Sequence, residues 1–479
     1  MSIQILIIAT YFVITIVIGL YSKKTAKSSD AFHGAGMGVL MCVCASTGEW
    51  LGGTATTGVS EYGFDFGISG SWYTIANGIG IIFLALLFAK LYRSMETVTV
   101  PGIIGKFLGV NARTVSSIFL TFVMLAVGTS QMIAAGSLGV SLMGIPFNTA
   151  VIAFSVVFIA YTLAGGMQAV AYTNIMHLIC MYGGVILAIV LALKQVGGFD
   201  SVTAALPDSY FNMTSIGMPK VSSWVIASLL GACTAQAGIQ PILAAKDVHV
   251  AKKSAIITAF VAAPFGLFTA LLGMIAKTMS LQGALLNTAG EVVTNGKLAL
   301  PTLMMNLSPV AGGIVLASIL AAILSTVSPL ILASGTMLTK DLYHGLFNCD
   351  ATDAQVMKVS RITTAVSGII CAMGAIFLNS SGIRVLDIVY FAYSMRGALF
   401  VIVLLGIYWK KTSEKGAVYG MISTALVGFF WVAYNAATGH FPIPGVTETY
   451  ISIITALITT VLFTYLFAKD TQKNQNTLS

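Results

Sequence analysis

Apolar runs of about 20 residues recur along the whole chain, with short polar segments between them. A helix needs about 20 mostly apolar residues to cross the hydrocarbon core of a bilayer. The period of the runs is helical, and no series of short alternating strands is present in the sequence, which argues against a β-barrel. The pattern predicts thirteen transmembrane helices, α1 to α13, near residues 3–22, 37–63, 67–92, 114–143, 147–165, 170–197, 222–242, 253–279, 308–338, 360–378, 384–409, 416–437 and 447–468.

Two of these helices, α2 and α7, are interrupted by glycines and polar side chains. Residues 45–54 of α2 read Ala-Ser-Thr-Gly-Glu-Trp-Leu-Gly-Gly-Thr, and residues 231–241 of α7 read Gly-Ala-Cys-Thr-Ala-Gln-Ala-Gly-Ile-Gln-Pro. The interruptions stand five helices apart, which is typical of transporters built from two inverted five-helix repeats with the binding site where the helices unwind. Close packing between helices would explain a single glycine pair. The matched interruptions with polar groups favour a binding site.

Hydroxyl groups follow one face of α9. Ala322, Ser325 and Thr326 lie at positions i, i+3 and i+4, so they share that face. At bilayer depth these oxygens either hydrogen-bond to a neighbouring helix or coordinate a small hard cation. The spacing alone leaves both possibilities open.

Composition and charge agree with a membrane protein. Of the 479 residues, 57% are hydrophobic and 8% are charged, whereas a soluble domain carries about 25% charged residues. The net charge of +8 does not indicate nucleic acid: with the N-terminus outside, 18 lysines and arginines fall on the cytoplasmic side and 5 on the other. We therefore expect a bacterial inner-membrane protein with a cytoplasmic C-terminus. Its expected partners are the lipid bilayer and a small-molecule substrate, and we expect it to function as a monomer.

Four segments together resemble the sodium:solute symporter family, which includes proline, pantothenate, sialic acid and sodium/glucose transporters. The segments are residues 164–177, 240–247, 321–328 with 339–343, and 406–417. Their order and spacing make the combination specific, and the resemblance runs from α1 to α13. It implies an all-α membrane protein of the LeuT type, with residues 1–479 forming one transporter domain. Residues 37–197 (α2–α6) would form the first inverted repeat and 222–409 (α7–α11) the second, with α1, α12 and α13 peripheral.

The resemblance also implies a sodium site between α2 and α9, with Na⁺ as the coupling ion. The side-chain ligands of the family match Ser325 and Thr326, and a backbone carbonyl ligand matches Ala322. Neutral oxygens suit Na⁺, and backbone carbonyls become available where a helix unwinds.

Two further carbonyl ligands of this site come from α2, where the alignment leaves two registers. One register selects Cys44 and Thr47, and the other selects Ala45 and Gly48. The resemblance does not decide between them.

Three positions depart from the family pattern. Members that use a second sodium ion share an aspartate on α6 and further hydroxyls on α9, but Asn174 and Pro329 stand at two of these positions here. We therefore predict one Na⁺ per substrate. Gly231 stands where the sugar transporters have an aromatic lid, so a sugar substrate is not favoured.

Two charged residues, Glu49 and Arg396, are placed near the middle of the bilayer, where ionisable groups are costly and mark functional sites. Arg396 either binds a substrate carboxylate bidentately, or pairs with Glu49 or caps carbonyls of the unwound segment. A third possibility is a protonated Glu49 that couples proton movement. Further candidates for lining the cavity are Trp50, Trp72, Tyr73, Gln131, Gln236, Gln240, Tyr390 and Tyr393.

These observations predict a secondary active transporter and not an enzyme. It would couple symport of a small organic solute to Na⁺ by alternating access. The sequence has no Gly-x-x-x-x-Gly-Lys-Ser/Thr loop, so ATP-driven transport would lack its motor in this polypeptide. The alternatives are a proton-coupled or uncoupled transporter or channel on the same fold, or a membrane sensor. Flux that does not depend on Na⁺ would favour the channel or uniporter.

Overall fold

Helices dominate the computed structural model of the protein, which describes residues 3–22, 36–379 and 383–467, without the side chains of 19–22 and 164–169. Within these ranges, strand pairing is limited to two isolated bridges, Met37 with Ala245 and Leu286 with Val292. The helices that correspond to the predicted spans are Ile3–Ser22 (α1), Val39–Trp50 and Val59–Phe66 (α2), Trp72–Phe83 and Ala89–Ser94 (α3), Val110–Met143 (α4), Phe147–Val196 (α5 and α6), Met218–Gly231 and Gln236–Leu243 (α7), Val248–Ala262 and Phe265–Leu281 (α8), Pro309–Met337 (α9), Asp353–Leu378 (α10), Val385–Tyr408 (α11), Glu414–Thr438 (α12) and Glu448–Leu466 (α13). Three short helices lie between them, Val100–Leu108, Phe199–Ala205 and Gly296–Met305.

The predicted all-α membrane class agrees with the length and composition of these helices. In the described part of the chain, nine helices are long and apolar enough to cross a membrane, or ten when the two halves of α7 count as one span. Three shorter apolar helices, within α1, α2 and α5, accompany them. The total of thirteen crossings stays a prediction.

The predicted helices α5 and α6 form one unbroken helical stretch, Phe147–Val196. A side-chain hydrogen bond nevertheless joins the hydroxyls of Tyr161 and Thr173. Twelve residues of straight helix span about 18 Å, which is beyond the reach of these side chains. The chain therefore changes direction between the two residues, which agrees with the two spans predicted here.

Both predicted interruptions are present. In α2 the first helix ends at Trp50, and a π-helical segment, Thr54–Gly58, leads into the second half. In α7 a short 3-10 turn, Ala232–Thr234, separates two halves whose axes differ by 43°. A third helix, α8, is divided at Pro264, where the sequence pattern predicts continuity. Proline lacks the N–H that continues a helix, which explains the division.

The core of the bundle is α9. Of its most apolar stretch, 94% is buried, against 28% for α13. It packs against α1, α2, α4, α6 and α10. Its hydroxyl-bearing face is therefore enclosed by protein, beside the interruption in α2. Large apolar side chains on outer helices, such as Ile179, Phe377 and Leu426, are exposed, as lipid-facing residues would be.

Candidate ion and substrate site

Four oxygens from α2 and α9 meet where α2 is interrupted. The carbonyl oxygen of Gly48 accepts a hydrogen bond from Thr326 Oγ1 and lies 3.5 Å from Ser325 Oγ. Ser325 Oγ also lies 2.8 Å from the carbonyl oxygen of Ala322. Ala322, Ser325 and Thr326 are at most 1% exposed. This buried set of neutral oxygens has the chemistry that a hard monovalent cation needs.

The α2 carbonyls of the two predicted registers have different neighbours. The Thr47 carbonyl accepts a hydrogen bond from Leu51 N within the helix, at 3.0 Å. The Cys44 carbonyl accepts a hydrogen bond from the side chain of Asn174, through Nδ2, at 3.3 Å. The carbonyl that faces α9 is that of Gly48. Ala45, fully buried, lies three residues earlier on the same face of α2.

The close approach of α2 to its neighbours requires glycine. A Cβ atom on Gly48 would overlap Asn174 Nδ2 and lie 2.7 Å from the Ser325 carbonyl oxygen. A Cβ atom on Gly52 would overlap Thr326 Oγ1. The glycines therefore let backbone oxygen reach the hydroxyls of α9 without an intervening side chain.

A buried ion pair lies one residue from the Gly48 carbonyl. Arg396 Nη2 donates to Glu49 Oε1 at 3.2 Å, and the two side chains are 1% and 0% exposed. The structure thus brings Arg396 and Glu49 together. This pairing is one of the possibilities that the sequence left open for Arg396. The pairing uses only part of each group. Glu49 Oε2 and Arg396 Nε and Nη1 are buried without a hydrogen-bond partner among the described residues.

Aromatic rings surround this pair, with Tyr393 at their centre. The Arg396 guanidinium lies 4.5 Å from the Tyr393 ring centroid, within cation–π range. Trp50 meets the same ring edge-on with centroids 6.4 Å apart, and the Tyr73 hydroxyl lies 3.1 Å from that of Tyr393. Tyr390 meets Tyr393 edge-on at 5.7 Å. The predicted candidates Trp50, Tyr73, Tyr390 and Tyr393 therefore form one cluster.

The indole N–H of Trp72 contacts a different part of the protein from this cluster. Its Nε1 donates to the Met213 carbonyl at 2.8 Å, in the segment before α7. Packing against that segment accounts for this tryptophan.

The three glutamine candidates have different roles. Gln131 Nε2 donates to Thr54 Oγ1, beside the interruption in α2, and its Oε1 has no partner in the described part of the chain. Gln236 Oε1 accepts from Val100 N at 2.7 Å, and its Nε2 donates to the Val98 carbonyl at 3.0 Å. Both ends of Gln236 are therefore engaged by the chain itself, which leaves no free group for a solute. Gln240 Oε1 lies 3.4 Å from Gln236 Nε2, whereas Gln240 Nε2 is buried without a hydrogen-bond partner among the described residues.

Asn77 is a buried polar residue that the sequence reasoning missed. It lies on α3, is fully buried and stands beside the Tyr393 side chain. Neither its Oδ1 nor its Nδ2 meets hydrogen-bond geometry with a described residue. The signal was available, because a lone amide in an apolar span is costly unless it has a partner.

Ion pairs lie at both predicted ends of the bundle. At the predicted outer end, Lys220 lies 3.1 Å from Asp387, and Arg384 lies 3.1 Å from Asp65. Tyr62 adds a hydrogen bond of 2.7 Å to Asp387.

At the predicted inner end, Arg113 pairs with the buried Asp341 at 2.8 Å. Thr99 donates to the same carboxylate at 3.1 Å. A layer of polar contacts thus lies at each predicted end of the bundle, separate from the buried Glu49–Arg396 pair.

The chain belongs to the sodium:solute symporter family, whose family model matches residues 31–424. It is 26% identical to the osmoregulated proline transporter OpuE of Bacillus subtilis (strain 168), over 96% of each chain. It is 24% identical to the sodium/glucose cotransporter of Vibrio parahaemolyticus, over 89% of this chain and 84% of that protein. These findings confirm the predicted family.

Solved structures confirm the predicted LeuT-type fold. A Na⁺-coupled sialic acid symporter in a substrate-bound outward-open state matches with a TM-score of 0.78 at 18% identity, over 98% of each chain. The transporter MhsT, in complex with L-phenylalanine, matches with a TM-score of 0.55 at 15% identity, over 88% of this chain and 98% of that one. The boundaries of the two inverted repeats stay a prediction.

Proposed function

We propose that this protein is a symporter of the bacterial inner membrane that moves one small organic solute with one Na⁺ in each cycle of alternating access. As a member of the sodium:solute symporter family, the chain is a membrane transporter, and Na⁺ is its coupling ion. In this proposal the N-terminus is outside, the C-terminus is cytoplasmic and the monomer is the working unit.

The observation that carries the proposal is the meeting of the Gly48 carbonyl with the hydroxyls of α9. Na⁺ would be held by carbonyl oxygens of Ala45, Gly48 and Ala322 and by Ser325 Oγ and Thr326 Oγ1. When the ion binds, the Thr326 proton turns away from Gly48, so that a lone pair of the hydroxyl faces the ion. The ion then replaces a hydrogen bond as the link between α2 and α9.

Coupling follows from the position of Glu49, directly after Gly48. An ion that fixes the end of the first half of α2 also fixes the carboxylate that holds Arg396 of α11. Ion binding in one conformation would therefore order the solute site in the same conformation. A ligand drives such a cycle only through its different affinity for the two states.

A single Na⁺ is supported by the surroundings of Asn174. Its amide nitrogen lies 3.3 Å from the Cys44 carbonyl and 3.5 Å from the Ser325 carbonyl, so it donates to both α2 and α9. An amide N–H₂ directed at these carbonyls repels a cation instead of binding it. Pro329 contributes no hydroxyl where a second site would need one.

Thermal unfolding of the purified protein in detergent tests the ion site without knowledge of the solute. NaCl is titrated against KCl at constant ionic strength. An ion present at about 100 times its Kd stabilises the folded state by about 2.7 kcal/mol. We expect Na⁺, and not K⁺, to raise Tm in the native protein, and Thr326→Ala to abolish the shift.

Ser334→Ala is the matched control, because Ser334 is also buried on α9 but donates only to the Leu330 carbonyl of its own helix, at 2.9 Å. This variant should keep the Na⁺ shift. Equal shifts with Na⁺ and K⁺, or a shift that survives in Thr326→Ala, would contradict the proposed site. In proteoliposomes, solute uptake driven by a pH gradient without Na⁺ would contradict the coupling.

A further inference from the structure

We infer that the solute is a small zwitterion, with a cationic nitrogen bound by Glu49 and a carboxylate bound by Arg396, and that Asn77 completes its site. This inference rests on the proposed symport function and specifies the chemistry of its solute. It differs from a simple carboxylate clamp, because both members of the ion pair bind the solute and the solute carries no net charge.

The first argument is that several hydrogen-bonding atoms of the ion pair have no partner among the described residues. Only Glu49 Oε1 and Arg396 Nη2 are used in their mutual contact. Glu49 Oε2 is an anionic acceptor, and Arg396 Nε and Nη1 are cationic donors, all buried and unpartnered within the described ranges. Leaving such groups unsatisfied costs more than leaving neutral ones. A ligand that satisfies both sides must present a donor and an acceptor at once.

The second argument is charge balance. Glu49 and Arg396 cancel each other, and their side chains are nearly fully buried. The other ion pairs of the described residues lie in the outer and inner layers, around Asp387, Asp65 and Asp341. A net anion would lie beside Glu49 as well as Arg396, and a net cation beside Arg396 as well as Glu49. Either would meet a like charge in an aromatic enclosure, where desolvation of an incompletely paired ion is expensive. A zwitterion instead adds one charge of each sign beside its opposite.

The third argument concerns the aromatic rings that line the site. Ring faces of Tyr393 and Tyr73, near-parallel with centroids 6.1 Å apart, can receive an ammonium or a quaternary nitrogen by cation–π attraction. The guanidinium over Tyr393 shows that this ring already accepts a cation.

Asn77 stands beside the same tyrosine, where its amide interacts with the Tyr393 side chain, and neither amide atom makes a hydrogen bond of good geometry with a described residue. It offers one acceptor and two donors, so it can bridge the two poles of the solute.

The experiment compares matched compounds that share a carbon skeleton and differ in net charge. Each amino acid or betaine of a panel is tested with its decarboxylated amine and with the deaminated acid, in which carbon replaces its nitrogen. Examples are proline with pyrrolidine and cyclopentanecarboxylate, and glycine betaine with tetramethylammonium and 3,3-dimethylbutanoate. Tm of the purified native protein is measured in NaCl and in KCl. We expect at least one zwitterion to raise Tm in NaCl, and its charged counterparts to leave Tm unchanged.

Two variants test the roles of the pair in opposite directions. Glu49→Gln leaves the site with a positive charge, so preference should move at least tenfold toward the deaminated acid. Arg396→Gln leaves it negative, so preference should move at least tenfold toward the amine. General misfolding cannot produce two opposite changes. Asn77→Ala should weaken zwitterion binding about tenfold without changing the order of preference between zwitterion, amine and acid.

A Na⁺-dependent shift produced by anions or sugars and by none of the zwitterions would overturn the inference, as would the absence of any zwitterion shift. Both results would leave Na⁺ coupling intact, provided that Na⁺ alone still raises Tm through Thr326. Loss of that Na⁺ shift would instead overturn the proposed function. The two failures are therefore distinguishable.

Discussion

The interruptions in α2 and α7 look alike in sequence, but the groups they expose have different partners. At α2 the Gly48 carbonyl faces hydroxyls of α9, and Glu49 Oε2 has no partner among the residues described. At α7 the protein engages the groups of Thr234, Gly238 and Gln236, whereas Gln240 Nε2 is buried without a hydrogen-bond partner among the described residues. Thr234 Oγ1 donates to the Arg396 carbonyl at 2.8 Å, and the Gly238 carbonyl accepts from Ser46 Oγ at 2.8 Å.

Gln236 extends this contrast, because it ties the second half of α7 to residues 98–100. The interruption in α2 thus leaves polar groups without a described partner beside the proposed site, whereas the one in α7 is a joint that ties α7 to residues 98–100. A broken helix in a transporter sequence does not by itself mark a ligand site. Whether neighbours already satisfy the freed backbone and side-chain groups decides between the two roles.

The largest expected effect is on the ion pair beside the α2 interruption. Arg396→Gln leaves the Glu49 carboxylate buried without its cation, so we expect a loss of about 3–5 kcal/mol in the free energy of unfolding. The double variant Glu49→Gln with Arg396→Gln removes both charges and should be destabilised less than the single one. Detergent-solubilised protein unfolded with denaturant gives both values. Additive losses would show that the two side chains do not interact.

The joint in α7 comes next. Gln236→Ala removes the partners of Val100 N and the Val98 carbonyl, which should cost about 1–3 kcal/mol of stability. Because the α2 groups are untouched, the Na⁺-induced rise in Tm should persist. Gln195→Ala is the control, since Gln195 is exposed and bonded only to the Asn306 carbonyl. Loss of the Na⁺ response in Gln236→Ala would contradict the proposal that the two interruptions have different roles.

A smaller effect is expected from a methyl group at Gly48. Gly48→Ala pushes the first half of α2 away from Asn174 and Ser325, so Na⁺ affinity should fall about tenfold, or about 1.4 kcal/mol. Gly183→Ala on α6 is matched, because a Cβ there meets no atom within 4 Å. Sodium titrations followed by Tm measure both. Unchanged affinity in Gly48→Ala would place the ion elsewhere.

The smallest effect is expected at the predicted outer end, where Lys220 and Asp387 lie. Lys220 and Asp387 pair at 3.1 Å with side chains 35% and 37% exposed, so solvent screens the attraction. Lys220→Ala should therefore cost about 0.2–1 kcal/mol of stability at low salt and less at high salt. Lys194→Ala, at the exposed end of α6, provides the comparison. A loss as large as that of Arg396→Gln would mean that this outer pair is desolvated like the inner one.

The candidate site was only partly predictable from the chain. The hydroxyl face of α9, the two interruptions and the intramembrane charges follow from periodicity and from the cost of polar groups at bilayer depth. The apolar pattern predicts α8 as continuous, because the pattern takes no account of the missing N–H of Pro264. The structure divides the helix at this proline. The pattern along the chain does not identify Asn77, because a single amide side chain does not form a periodic pattern. Its importance depends on its contact with Tyr393, which only the structure shows.

The sequence by itself determined the membrane class, the approximate spans and the family, because these depend on the length of apolar segments and on the order of motifs along the chain. Only the tertiary structure decided that Gly48, not Thr47, faces α9, since one residue along a helix turns a group by about 100°. Only the tertiary structure joined Glu49 to Arg396, 347 positions away, and committed Gln236 to residues 98–100. Such contacts arise from helix packing, which brings together groups whose separation in sequence carries no information about their separation in space.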